Sequence, residues 1–290
     1  MLNRLEKGDE VSVVASSSFI ENKSAHDEGI EILKAWGLKI THDDAVSRKY
    51  NYFAGNDEIR FTEIEKTQKS KLVIFAKGGW GSARLLEKNP SWNDGWMIGF
   101  SDPCSLLLSK YSQGFIGSVH GPMISTLSKE PSWSIDRLKN LLFEGYVESI
   151  KGNPLRNGIA EGKIIVSNLT IASFLIGTSH LPDLRGKIII FEDINDDIYK
   201  IDRMLTYFII SKKLEGITGI GFGNFFHSTE DIGKKDLFKK LIKDRFERFD
   251  MPIVLDLPIG HLRGNACIPI GFDAILNGNN GTLEIKTIIN

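Results

Sequence analysis

The sequence predicts an α/β fold in two units: an N-terminal open parallel sheet with helices on both faces, then a C-terminal mixed α/β domain. Three observations carry that expectation. Apolar runs of strand length alternate with helical stretches along the first half, the pattern of a parallel sheet covered on both sides. The texture changes over Glu144 to Ala160, where Gly145, Gly152, Pro154 and Gly158 replace apolar clusters, as in an interdomain linker. At 290 residues the chain is long enough for roughly two domains and a sizeable core. Residues 1–145 are therefore assigned to the first domain, 146–160 to the linker and 161–290 to the second domain.

Val11 to Ala15 reads as a buried first strand running into the polar turn Ser16-Ser17-Ser18. Ser24-Ala25-His26-Asp27 offers a capping box for a helix that ends at Gly37, and Leu38-Lys39-Ile40 is a short second strand. A helix from Asn56 to Lys66 can turn Ile59, Phe61 and Ile64 inward. Lys71 to Ala76 is the clearest strand of the first unit and delivers the turn Gly78-Gly79-Trp80-Gly81-Ser82. The next strand ends at Phe100 and is followed at once by Ser101-Asp102-Pro103. Phe115 to His120 and a helix from Ile135 to Phe143 close the unit. In the second unit, strands are expected over 161–166, 186–191, 217–223, 252–257 and 281–286. Helices are expected over 168–177, along the stripe Ile198, Ile201, Leu205 and Phe208, and over 234–248.

Composition narrows the partners. With 36 basic and 37 acidic residues the net charge is -1, which gives no field to attract nucleic acid or an anionic membrane. Cys104 and Cys267 form no disulfide framework, and no histidine or cysteine spacing suggests a zinc site, so no metal or cofactor is expected. The apolar run Val11 to Ala15 is too short for a signal-peptide core or a membrane span. A cytoplasmic protein is the expectation.

Ser101 is the first candidate for chemistry. A strand that breaks sharply and re-enters a helix through Pro103 leaves this serine at the tip of a turn with backbone N–H groups nearby; taken alone, such a serine is more commonly a helix cap. A serine nucleophile needs a base, itself oriented by a carboxylate. His26 and His42 lie in surface contexts and His180 and His227 in polar loops, so these four read as solvated. His120 and His261 both stand beside glycines at strand ends, and local sequence does not choose between them. Glu192 ends an apolar strand, where an acid is unusual, and reads either as the orienting carboxylate or as a cap for the next helix. The turn Gly78 to Gly81 can present N–H groups to an oxyanion or be a plain tight turn, and it lacks the lysine-serine end of a phosphate-binding loop. Cys104 reads as a buried helix residue. Ligands of open sheets bind beyond the carboxyl ends of the strands, so the glycine turn and Ser101 are expected in one crevice.

Taken together, these segments resemble the LD-carboxypeptidase family of serine peptidases, which includes the microcin C immunity-type peptidases. The resemblance spans nearly the whole chain and rests on order and spacing. It runs through Lys7-Gly8-Asp9, Tyr52-Phe53-Ala54-Gly55-Asn56-Asp57-Glu58, Lys77-Gly78-Gly79-Trp80-Gly81-Ser82, Ile98-Gly99-Phe100-Ser101-Asp102 and His120-Gly121-Pro122-Met123. It continues through Asn168-Leu169, Leu184-Arg185-Gly186-Lys187, Phe191-Glu192-Asp193, Ile201-Asp202-Arg203-Met204-Leu205 and Gly260-His261.

The resemblance implies Ser101 as nucleophile, His261 as general base and Glu192 as its orienting carboxylate, with an oxyanion hole from the N–H groups of Gly79 and Asp102. It also implies a swivelling, barrel-like second domain, a site between domains and a homodimer. The chain departs from the family pattern at Val166-Ser167, Ala15-Ser16-Ser17, Lys77 and Pro103, all of which leave the triad intact. The expected activity is that of a hydrolase, a serine carboxypeptidase removing the terminal D-alanine from muropeptide tetrapeptides in peptidoglycan recycling. Trp80 and Asn168 are the expected substrate contacts, with Arg84, Arg203 and Arg263 available for the terminal carboxylate. The alternative is cleavage of a peptidyl-nucleotide antibiotic such as microcin C, which requires Trp80, Trp92, Trp96 or Phe225-Phe226 to face the crevice and stack the base. A noncatalytic muropeptide-binding protein on the same scaffold is the third reading.

Overall fold

Strands β1 (Glu10–Val14), β2 (Lys39–Asp43), β3 (Leu72–Phe75), β4 (Trp96–Gly99) and β5 (Ser118–His120) run parallel in the order β5-β4-β3-β1-β2. The computed structural model in which they are seen describes residues 2–194, 197–226 and 232–286. Every residue of β3 and β4 is buried, as continuous apolar strands must be when helices cover both faces. The covering helices are α1 (Lys23–Ala35), α2 (Asp57–Thr67), α3 (Cys104–Ser112), α4 (Ile124–Leu127) and α5 (Ser132–Phe143). Strand order reverses between β1 and β3, and at such a switch point the turns beyond the carboxyl ends part and leave a crevice.

Two helices differ from expectation. The cap of α1 is Asn22 rather than Ser24: Asn22 keeps extended backbone and accepts from the Ala25 N–H, while Ser24 donates to Glu28. Helix α2 turns a charged face inward. Ile59 is 46% exposed, whereas Arg60 and Glu63 are buried. Glu63 accepts from the Ala15 N–H and pairs with His42 and Arg48, and Arg60 donates to the carbonyls of Ser16 and Gly81. These contacts brace the end of β1 and the glycine turn, which an apolar stripe cannot do.

The second sheet contains β6 (Ile150–Lys151), β7 (Asn153–Arg156), β8 (Ile159–Asn168), β9 (Lys187–Glu192), β10 (Gly219–Phe222), β11 (Ile253–Leu255), β13 (Asp273–Asn277) and β14 (Thr282–Ile285). Their order is β6-β14-β13-β8-β9-β10-β11-β7. Strands β6 and β7 stand at opposite edges yet are separated in sequence only by Gly152, so one segment pairs with β14 on one side and β11 on the other. That closes the sheet into a barrel and leaves no long open edge. The stretch read as linker thus includes strands of the second sheet. Its glycines and proline mark tight closure: a methyl group on Gly152 would lie 2.2 Å from the Leu255 carbonyl oxygen.

Helices α6 (Leu169–Phe174), α7 (Ile198–Ile210) and α8 (Ile232–Arg245) pack with this sheet, and α7 buries Ile201, Leu205 and Phe208 of the expected stripe. The remaining strand, β12 (Ile268–Pro269), leaves the second sheet's territory and pairs antiparallel with β5. The second half of the chain therefore completes the first sheet. Among the described residues, no helix is long and apolar enough to cross a membrane.

Candidate active site

The turn after β4 holds Ser101 with φ at 63°, in the left-handed region that L-residues rarely adopt. The Ser101 carbonyl accepts from the Cys104 N–H and the Asp102 carbonyl from the Ser105 N–H, so the chain turns directly into α3. This is the strained strand-to-helix elbow that presents a serine hydroxyl outward. Gly78 is needed beside it: a methyl group there would lie 3.1 Å from Ser101 Cβ and 3.3 Å from Oγ.

A buried polar knot fixes the elbow to its neighbours. The Asp102 carboxylate is 2% exposed and accepts from Ser17 Oγ at 2.6 Å and from the Ser82 N–H at 2.8 Å. Ser82 Oγ is also shared with Ser16 and Ser17, at 2.7 and 2.8 Å. One carboxylate thereby ties together the turns after β1, β3 and β4. Gly79 lies between these anchors at φ 117°, packed on Ser18. Among the described residues, neither the Gly79 nor the Asp102 N–H donates to a protein acceptor.

The opposite wall comes from the second half. β9 delivers Glu192, fully buried, between two histidines: His261 Nδ1 is 2.8 Å from its Oε2 and His120 Nε2 is 3.5 Å from its Oε1. Burial pushes the Glu192 carboxyl up, but the His261 charge and the hydrogen bonds from both rings outweigh it and hold the group below the ordinary carboxylate range. Burial likewise opposes charge on His261, yet the Glu192 carboxylate raises its pKa above the usual value. Gly260, at φ 107°, permits the contact, since a methyl group there would come within 2.5 Å of Glu192 Oε2. The Phe100 ring meets His261 edge-on at 4.9 Å between centroids.

Both walls face one cavity of about 370 Å³, lined by Gly78, Gly79, Ser101, Met123, Lys129 and His261 among others. Ser101 and His261 are both partly accessible there. With Nδ1 engaged by Glu192, His261 has Nε2 left to take a proton, and a hydroxyl, a base and a buried carboxylate are the parts of nucleophilic acyl transfer.

Other expectations land differently. Asn168 caps α6 through the Ile171 N–H and donates to Asp193, and it does not line the cavity. Asp193 is pushed up to about 6 by burial and by the Glu192 charge. Trp80 is half exposed and meets Phe174 edge-on at 6.3 Å, outside the cavity lining. Arg84 pairs with Asp57 and Arg203 lies over Tyr199, so the cations that line the cavity are Lys77 and Lys129 instead. His26 is fully buried against Asp43 and His42 is paired with Glu63, while His180 meets Ser109; His227 lies outside the described residues. Cys104 is buried, with its thiol pushed far up. Sequence reasoning missed the Asp102 knot, whose signal was a triple serine at a strand end, and the position of His120 on the same carboxylate as His261.

Fold and cavity together define a mixed α/β protein of two sheets, whose cavity brings Ser101, from the turn after β4, together with His261 from the second half of the chain. The chain belongs to the LD-carboxypeptidase family: residues 11–121 match the family's N-terminal domain and residues 161–276 its C-terminal domain. A Synechocystis sp. relative with a carboxypeptidase designation is 33% identical over 97% of this chain and 95% of its own. The murein tetrapeptide carboxypeptidase of Pseudomonas aeruginosa is 27% identical over 81% of this chain and 82% of its own. Among solved structures, an MccF-like protein from Bacillus anthracis has the same fold, with a TM-score of 0.87, 20% identity and 98% of each chain covered.

Proposed function

We propose that this chain is a serine carboxypeptidase of muropeptides, cleaving the amide that joins the terminal D-alanine of a peptidoglycan-derived tetrapeptide. The observation that carries the reading is the Glu192 carboxylate, buried and hydrogen-bonded to a histidine that shares a cavity with a strained, accessible serine. Ser101 Oγ attacks the amide carbonyl and passes its proton to His261 Nε2, while Glu192 holds the ring and stabilises its charge. The Gly79 and Asp102 N–H groups receive the oxyanion, a role worth about 10²–10³ in turnover per donor. His261 then protonates the leaving amine, and water repeats the sequence on the acyl-enzyme.

Lys129 on the cavity wall suits a substrate that carries a free carboxylate beside the scissile bond, whereas Lys77 is paired there with Glu21 at 3.7 Å. The name of the Pseudomonas relative supports the murein substrate. The peptidyl-nucleotide reading has less support. Trp92, Trp96 and Phe225 are buried, and among the described residues the aromatic ring lining the cavity, apart from His261, is Phe100, already packed against that histidine. A cytoplasmic homodimer without cofactor, and without nucleic acid or membrane as partner, completes the proposal.

The test is D-alanine release from a purified muropeptide tetrapeptide. Release by the native protein and none by Ser101→Ala is expected; equal release, or none by either, overturns the reading.

A further inference from the structure

The loop that carries His261 is held from the nucleophile's side of the molecule. Glu130, between α4 and α5, is 8% exposed, and its Oε2 accepts from the Gly264 N–H at 2.7 Å and the Asn265 N–H at 2.9 Å. Asn265, fully buried, accepts in turn from the Gly260 N–H at 2.9 Å through Oδ1, and its carbonyl accepts from Ser134 Oγ at 2.8 Å. Gly260 is the residue packed against Glu192, and the next residue is His261. An unbroken series of hydrogen bonds thus runs from Glu130 to the glycine that seats His261 on Glu192.

The barrel holds the same loop from the other side. Asn224 donates through its side chain to the His261 carbonyl at 3.2 Å and through its N–H to the Ile259 carbonyl at 2.8 Å, and Glu192 Oε2 lies 2.8 Å from His261 Nδ1. These bonds fix the loop to the second sheet. Glu130 ties it to the side of Ser101, where the Phe100 ring also meets His261, because the segment before Glu130, Met123 to Lys129, borders the same cavity as Ser101. Burying a carboxylate is costly, and desolvation raises the Glu130 pKa despite its two backbone donors and nearby Arg263. One carboxyl oxygen that accepts from two backbone N–H groups gives this contact short, directed bonds.

We infer that Glu130 is a positioning residue: it sets the distance and angle of His261 toward Ser101 across the junction of the two units. This rests on the Ser101–His261 reading above. It makes the alignment of base and nucleophile depend on an anchor that touches neither of them. Its loss leaves every reacting group present but misplaced, and a misplacement of about 1 Å costs on the order of 10² in rate.

The experiment is the rate of covalent labelling of Ser101 by a fluorophosphonate, followed to completion by intact mass in native protein, Glu130→Ala, Glu130→Gln, His261→Ala and Ser101→Ala. Rate constant and final labelled fraction are read separately, because simple unfolding lowers the fraction and misalignment lowers the rate. Glu130→Ala is expected to slow labelling about 10²-fold at undiminished final fraction, and to lower kcat for muropeptide with KM little changed. Glu130→Gln, which keeps an acceptor for both N–H groups, should recover to within about tenfold of native while remaining slower. Where Glu130→Ala does not fold, the glutamine variant decides alone. A native rate constant in the decisive variant, or a loss confined to the labelled fraction, overturns the inference. Failure of the native protein to label, or a native rate in His261→Ala, strikes the underlying triad reading instead.

Discussion

The two walls of the cavity are built by different physics. On the first-half wall, Ser101 is held in a left-handed conformation, and a neighbouring knot of serine hydroxyls and the Asp102 carboxylate fixes three strand ends. On the second-half wall, backbone shape matters mainly at Gly260, and the decisive element is charge: the buried Glu192 carboxylate, bonded to His261 of its own half and met by His120 from β5. The first wall controls where atoms sit and the second controls where protons sit. Damage to the first should therefore lower rates equally at all pH values, and damage to the second should move the pH profile.

Five variants sharpen or break that contrast, in descending order of effect. Ser101→Ala should reduce kcat by about 10⁶-fold, measured as D-alanine release. Its companion Ser101→Gly should be equally inactive but more stable by about 1 kcal/mol in urea unfolding, because glycine accepts φ at 63° without strain. A destabilised glycine variant would mean that the elbow stores no strain.

Glu192→Gln should lower kcat by about 10⁴-fold and move the acid limb of kcat/KM to lower pH, since the carboxylate raises the His261 pKa. The same variant tests linkage. The folded Glu192 pKa is depressed, so its stabilisation is present above its ordinary value of 4.5 and is lost as pH falls toward the folded value. The folded His261 pKa is raised, so its contribution is present below 6.5 and is lost as pH climbs through the folded value. The gap in Tm between native and variant protein should be widest between about pH 4.5 and 6.5. A gap independent of pH would remove the electrostatic account of this wall.

Ser82→Ala deprives Ser16 and Ser17 of their shared partner while the backbone bond to Asp102 survives. A fall in kcat of up to about 10²-fold, with the pH profile unmoved, is the expected result. A shifted acid limb would break the division between the walls. The smallest effect belongs to Asn168→Ala, which removes the α6 cap and should cost about 1 kcal/mol of stability with turnover nearly native. A collapse in kcat/KM instead would return Asn168 to the substrate site.

The first unit was largely legible because each strand of its sheet is a continuous apolar run between turn signals, as Leu72–Phe75 and Trp96–Gly99 illustrate. The barrel was less so. Strands β6 and β7 are short and glycine-flanked, and their partners β14 and β11 lie far along the chain, as in Leu283 opposite Ile150 and Ile253 opposite Arg156, so local pattern reads them as linker. At the site, an acid closing an apolar strand and a histidine between glycines were visible as anomalies, but a choice between His120 and His261 was not. The geometry explains why: both reach the same carboxylate, with His261 partly accessible and His120 fully buried. Arg60, Glu63 and Glu130 look like ordinary surface charges in sequence, because a charge that grips a distant backbone leaves no periodic trace.

The pairing of β12 with β5 also makes completion of the first sheet wait for residues of the second half. During synthesis the first sheet lacks its outer strand until Ile268 and Pro269 have left the ribosome, and the same late segment brings His261 and the groups that Glu130 holds. The two sheets are therefore not independent units: a strand from the second half of the chain is part of the first sheet.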